Sequence, residues 1–593
     1  MKSDAAAAPN AHRLLWAGFM AIMASGVGFS IRAGILNQWA VNYGFTQTDL
    51  GKITGGGLTG FGIIILLSAL IADKIGYGKL MVSAFLTHIA SAALTLAALT
   101  TTSKPVAFQF LFWGMFLFAV GNGICEAVVN PLVATLFPKE KTHYLNILHA
   151  GWPAGLVVGG LLSTVMAGVP WQYQMSLFLI PVAFYGAMLL GQRFPRSEAS
   201  QQGVSYKNML GEIGMLGGAV ICLFLGLFFY NDLSHLLSSD PNIRLYSAVA
   251  IGGGLWLAFS YMTGFRLGPI LLAALLVTHA MVGYVELGTD SWIGKITGTI
   301  MRKGQYGQML FVYTSTLMVI LRFFAGPIVE KISPLGLLCV SGILGASGLT
   351  LLGNAPAQSI AFCVMAATVY ALGKTFLWPT MLAVVSEQFP KGGAITIGAI
   401  GGVGMLSAGL LGGPGIGFQQ DNYASSNLKS ADASVFERYK SPTENRFLTF
   451  ETVGLDGAKV GLLEGYKAEP TTGGGLTVVA DEGGDKARRV LDVLKKYPEA
   501  NSESIKTQQT LVDWWDTAKP TALADQKLVT AATLYGGQMA LKLTAGVPAA
   551  MAVIYLLMML YFKARGGYQA KEVFSKHEEA ERMAGGVEGP AEY

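Results

Sequence analysis

The chain has 593 residues, 52% of them hydrophobic and only 13% charged, whereas a soluble protein carries about a quarter charged residues, so a water-soluble globular fold is excluded. The net charge of +5 is small, and the basic residues are scattered in short segments between apolar runs, which leaves no footprint for nucleic acid. The four cysteines (Cys125, Cys222, Cys339 and Cys363) all fall inside apolar runs without CxxC or His/Cys spacing, so no disulfide framework, metal or other cofactor is expected.

A helix needs about 20 mostly apolar residues to cross ~30 Å of hydrocarbon. After a polar N-terminal tail, 1–13, with no cleavable leader pattern, six such runs are predicted near 14–37, 50–72, 79–100, 106–137, 145–167 and 172–192. They make an N-terminal bundle over 14–192. The segment 193–267 reads as a linker holding two extra spans, near 214–230 and 245–265; a pair preserves the orientation of everything downstream. Five more runs, near 268–292, 307–328, 334–353, 358–388 and 394–413, begin a C-terminal bundle over 268–413. A polar insertion, 414–540, then precedes the last span, 541–562, and a tail, 563–593. The expected fold class is all-α: a polytopic membrane protein of two six-helix bundles plus a two-helix hairpin, about fourteen spans.

Short loops rich in Lys and Arg favour the cytoplasm. Lys74 and Lys79, Lys139 and Lys141, Arg193, Arg196 and Lys207, Arg266, Lys331, Lys391, Lys563 and Arg565 fall on one side when the N-terminus is inside; Lys295, Arg302 and Lys303 run against the trend. Both termini are therefore expected in the cytoplasm and the insertion outside it. Within the insertion, KARRVLDVLKK and QQTLVDWWDTA have amphipathic helical spacing, and Trp514 with Trp515 is expected to dock on loops of the membrane domain. It carries no catalytic constellation, and a lid or spacer is the expected role.

The two sets of six repeat one another. ADKIGYGK after the second span matches VEKISP after its counterpart; Glu126 stands five residues before Pro131 as Lys374 stands five before Pro379; and both helices end in Phe-Pro-Lys, at Phe137–Lys139 and Phe389–Lys391. The first helices, GFSIRAGILNQW and GYVELGTDSW, place Arg32 and Glu286 at comparable depth. One charge at mid-membrane costs at least ~2.5–3.5 kcal/mol, and such residues face an interior or a water-filled cavity and pair with one another. Repeats of this kind put a solute site at their midplane interface. The expectation is one shared polar cavity in which Glu126 pairs with Arg32 and Glu286 with Lys374. His149, Asn37, Gln38, Asn122, Asn130, Asn146 and Trp378 are further candidates to line it, since amides and an aromatic face suit a small polar solute. Asp290 reads as an outer-rim residue. Asp73, Lys74, Lys79, Arg322, Glu330 and Lys331 are assigned to a wet cytoplasmic gate. The run ITGGGLTGFG (53–62) has no following Lys-Ser/Thr and lies inside a span, so close helix contact explains it better than a phosphate loop.

LIADKIGYGK and RFFAGPIVEK resemble the signature loops of the major facilitator superfamily. GNGICEAVVNPLV, LNILHAGWPAG, VGYVELGTDSW and the WPT at 378–380 resemble, more narrowly, the fucose/proton symporter group of sugar permeases. The resemblance covers the twelve core helices, not the hairpin or the insertion. It implies a secondary transporter, not an enzyme: proton-coupled symport of a sugar or similar small polar solute, with Glu126 as the proton-coupling carboxylate. A monomer in lipid of a bacterial inner membrane, with solute and protons as its partners, is the expected setting. That group has an acidic residue in helix one where this chain has Arg32, so transport of nucleosides or organic anions stays open, as does a non-transporting sensor or scaffold built on the insertion.

Overall fold

The computed structural model describes residues 10–43, 45, 47–101, 103–470, 476–496 and 498–574. The N-terminal half opens with α1 (Ala11–Tyr43), α2 (Gln47–Ile75), α3 (Tyr77–Ala97) and α4 (Lys104–Leu136). Its fifth span is broken into α5 (Lys141–His149) and α6 (Gly151–Val165), and its sixth into α7 (Trp171–Ser176) and α8 (Leu179–Leu189). The short α9 (Glu198–Gln201) leads to the extra hairpin, α10 (Tyr206–Phe228) and α11 (Pro241–Met262).

The C-terminal half begins with α12 (Ile270–Gly283), which runs through a π turn at Tyr284–Gly288 before α13 (Ile293–Met301). Then come α14 (Gly304–Arg322), α15 (Ala325–Gly353), α16 (Ile360–Lys374) with α17 (Leu377–Gln388), and α18 (Gly393–Ser407) with α19 (Gly413–Ala431). Ser333 breaks α15 at φ 63°, because Pro334 disfavours helical geometry in the residue before it. A new helical stretch therefore starts at Pro334, the position where the sequence reading begins its span. The insertion holds α20 (Ala433–Tyr439), the hairpin β1 (Asn445–Phe447) and β2 (Phe450–Thr452), α21 (Gly457–Glu464), the antiparallel pair β3 (Tyr466–Pro470) and β4 (Leu476–Asp481), α22 (Glu482–Lys495) and α23 (Pro498–Ala518). The chain closes on α24 (Ala522–Ala564).

Twelve described helical segments are long and apolar enough to cross a membrane. The pair α7 and α8 and the more polar α14 lie where the two remaining spans are predicted. The two halves meet where α2 lies on α18, α6 on α14 and α5 on α17. The glycine run of α2 serves one of these seams. A Cβ on Gly62 would come within 2.9 Å of the Leu406 backbone, and one on Gly402 within 3.2 Å of the Gly62 carbonyl. Of the extra hairpin, α10 rests on α12 and α18. By contrast, α11 turns Val249, Leu257 and Tyr261 outward, the surface a lipid-facing helix presents.

The insertion departs from its expected limits. The helix after the π turn at Ala408–Gly412 continues to Ala431, and the last helix begins at Ala522, so both ends of the insertion are extensions of spans. Between them a separate core forms around Phe436, Tyr439, Leu463, Leu491 and Trp515. The tryptophans do not dock on membrane loops. Trp515 is buried, donates to Asp481 at 3.0 Å and meets Tyr466 edge-on, while Trp514 meets Tyr439. A self-contained core explains the correction: amphipathic α22 and α23 need a partner for their apolar faces, and they find each other.

Candidate functional site

A cavity of about 1560 Å³ lies between the halves at the end where the insertion sits. Aromatic side chains dominate its wall, among them Phe29, Phe112, Trp152 and Phe311, with Ser30, Thr59 and Gln308 as neutral polar groups. Two added pieces reach its mouth: the turn after α10, with Asn231 and Asp232, and the β1 hairpin, with Arg446. That turn is a π-helical end braced by Arg244, which donates to Ser234 at 2.8 Å and to the Tyr230 carbonyl at 3.2 Å. Sequence reading left both additions outside the cavity, since nothing in a hydropathy pattern shows which way a loop folds.

The π turn after α12 carries Glu286, and Asp290 follows one turn later. Inserting one residue per turn re-aims side chains, which is why such bulges recur at functional sites. The expected Glu286–Lys374 pair is not formed. Glu286 accepts from Arg322 at 3.0 Å, and Lys374 is paired with Asp290. Asp290 is therefore not a rim residue but a cavity-lining group with a buried lysine behind it. Arg322 is not in a wet gate either. Its guanidinium is 1% exposed and also donates to the carbonyls of Thr375 (2.8 Å) and His149. It is the last residue of α14.

Glu126 does not pair with Arg32. It sits at the seam of the halves, where Trp378 Nε1 donates to its Oε1 at 3.3 Å and His149 Nε2 lies 3.6 Å away. His149 Nε2 is held by the Asn130 side-chain oxygen Oδ1 at 2.8 Å, and the Asn130 Nδ2 donates to the Glu126 backbone carbonyl at 2.8 Å, one turn earlier. Thus Glu126, Asn130, His149 and Trp378 come together as one cluster, with the His279 ring tilted against Trp378 at 4.6 Å between centroids.

Arg32 turns into the N-terminal bundle. It donates to Ser91 on α3 at 2.8 Å and to the Gly28 carbonyl at 3.2 Å, with Phe118 3.9 Å from its guanidinium carbon. Asn122 is likewise interior to that bundle: it bonds His88, which bonds Tyr185. Gln38 ties α1 to the Val169 carbonyl at 3.0 Å, away from the cavity wall. The side chain of Asn37 lies outside the described residues. Asn146 bridges the halves, donating to Thr380 at 3.2 Å.

Beyond Glu126, toward the end opposite the insertion, the seam is closed. Thr142 donates to Glu387 at 3.0 Å, and Lys141 reaches both Glu198 (2.9 Å) and the Ser386 carbonyl (3.2 Å). Tyr568 of the C-terminal segment donates to the other Glu387 oxygen at 2.6 Å. Asp73 accepts the Ala394 N–H from the other half at 3.4 Å, and Lys74 lies over the Tyr206 ring. Lys79, Glu330 and Lys331 are exposed at that end. Glu387 was missed in the sequence; the available signal was a carboxylate two residues before the repeated Phe-Pro-Lys.

Two six-helix halves, a cavity between them at one end and a sealed seam at the other are the geometry of a transporter, and the family model of the Major Facilitator Superfamily matches residues 18–414. The chain belongs to this superfamily. Among solved superfamily structures it is similar to the proton:xylose symporter XylE, at 13% identity over 69% of this chain and 88% of that one, TM-score 0.50. It is also similar to the human organic anion transporter MFSD10 (13%, 69% and 93%, TM-score 0.50) and to the E. coli fucose:proton symporter FucP (14%, 71% and 92%, TM-score 0.48). At such identities the likeness concerns the fold alone. No curated protein matches the sequence.

Proposed function

We propose that this superfamily member is a secondary active transporter that carries a sugar or a similar small polar solute together with protons, by alternating access. The observation that carries the reading is the Glu126 cluster: a buried carboxylate at the seam, hydrogen-bonded by Trp378 of the opposite half and approached by His149. Hydrogen bonds to an ionised carboxylate are about twice as strong as those to a neutral one. Proton binding at Glu126 therefore weakens its hold on Trp378 and with it one bond across the closed seam. A bound proton thus favours opening of that end, and proton release restores closure. The fold shared with a proton:xylose symporter supports the reading.

In this reading both termini are cytoplasmic, the insertion is extracytoplasmic, and the cavity faces outward in a bacterial inner membrane. The monomer is the working unit. Asp290 at the cavity wall, with Lys374 buried behind it, is the solute-binding group of the C-terminal half, and Arg322 with Glu286 holds the π turn that positions it. The test is uptake into proteoliposomes under a pH gradient. Glu126→Gln abolishes uphill accumulation while equal-concentration exchange persists; uphill uptake by this variant would remove Glu126 from the coupling step.

A further inference from the structure

Arg32 is a buried cation with no counter-ion among the described residues. In the C-terminal half Arg322 meets Glu286 and Lys374 meets Asp290. Among the described residues, no carboxylate lies within salt-bridge reach of Arg32. Its guanidinium is 1% exposed, Ser91 and the Gly28 carbonyl take two of its N–H groups, and Nε–H has no acceptor. The faces of Phe118 and Phe178, 3.9 Å and 5.0 Å from its carbon, offset part of the charge. They do not neutralise it. A residue serving only to tie α1 to α3 would do so at less cost as an apolar side chain, because a buried cation without a partner is strongly unfavourable. Arg32 also shares the cavity-lining face of α1 with Phe29, Ala33 and Leu36.

Resting on the transport reading, we infer that the solute is a hydroxylated monocarboxylate, a sugar acid in chemical class, whose carboxylate is received by Arg32. The guanidinium fork matches a carboxylate in bidentate geometry, and its Nε–H is the donor left free. Ser30, Thr59 and Gln308 on the cavity wall supply neutral hydrogen-bonding groups for hydroxyls. On the opposite side Asp290 is already matched by Lys374, so Arg32 is the buried cation of the wall that one carboxylate would neutralise, which fits a cargo of one negative charge. One such anion entering with one proton moves no net charge.

The test is binding, measured by thermal shift on the purified full-length protein with matched pairs: glucuronate against glucose, galacturonate against galactose, and a panel of other hydroxylated monocarboxylates. The wild type is stabilised by acids and not by their neutral partners. Arg32→Gln loses that preference with affinity about 10- to 100-fold weaker, the range for losing a charge-assisted bond. Arg32→Lys, which keeps the charge, retains the acid preference at reduced affinity and covers the case in which the glutamine variant does not fold. Equal stabilisation by neutral sugars, an acid preference surviving in Arg32→Gln, or silence across all the carboxylates overturns the inference. Because no gradient is present, acid binding without uphill uptake would sink proton coupling and leave the inference standing.

Discussion

Arg322 joins three things that otherwise have no reason to stay together: Glu286 on the π turn, the Thr375 carbonyl between α16 and α17, and the His149 carbonyl in the other half. Arg322→Ala strands Glu286 as a buried unpaired charge, and loss of one partner from such a pair costs about 3–5 kcal/mol. Thermal unfolding in detergent should show a large drop, much of it recovered by pairing Arg322→Met with Glu286→Leu. Outside the membrane, Asp481 is a second anchor. Burial pushes its carboxyl up, but Lys519 at 2.6 Å, Trp515 and the Gly484 N–H outweigh that and hold it below the usual carboxylate range. A depressed folded-state value means its contribution is present above the unfolded value of about 3.9 and is lost as pH falls through the folded one. Fluorescence of Trp514 and Trp515 on acidification should therefore change below about pH 4, and Asp481→Asn should flatten that dependence. The presence of Glu126, Glu286 and Lys374 at buried positions was legible, because charge inside an apolar run has so few uses. Their pairing was not. Repeat symmetry fixes depth along a helix, whereas the partner depends on which face each helix turns to its neighbour, and Arg32 turned to Ser91.

At the level of elements, hydropathy located twelve helical segments long and apolar enough to cross a membrane, since twenty apolar residues have one economical place to go. It could not see the breaks. The interruptions at His149–Gly151 and Lys374–Leu377, and the π turns at 284–288 and 408–412, lie inside apolar sequence and leave no mark in hydropathy, although Pro153, Pro379 and Pro414 follow three of them. Glycine marks some of them indirectly. Gly283 on α12 faces Gly404 on α18 so closely that a Cβ would collide with the Gly404 carbonyl. Gly283→Ala should cost about 1–3 kcal/mol by overpacking, because backbone cannot yield as a flexible side chain does. Its Tm should fall accordingly, and more than that of Gly253→Ala, where a Cβ meets nothing within 4 Å.

For the molecule as a whole, the closed end is the part that must give way in transport. Glu387 concentrates its bonds: Thr142 from the first half, Tyr568 from the C-terminal segment, and the Lys571 N–H on its backbone oxygen. Removing 1–2 kcal/mol from one side of a two-state balance shifts populations about 5- to 30-fold. Glu387→Ala should accordingly raise, by several-fold, thiol labelling of a cysteine placed at Thr380, which is fully buried in the seam; an unchanged rate would mean that the other seam bonds suffice.

The insertion is carried by α19 and α24, which lie along each other for most of their extramembrane length, yet its α22 touches α1 of the opposite half. A body bolted to one half and leaning on the other cannot keep both attachments when the halves tilt. Its stance is thus an indicator needle: a dye pair on α22 and the end of α1 beside it would read which way single molecules face, without disturbing the route the solute takes.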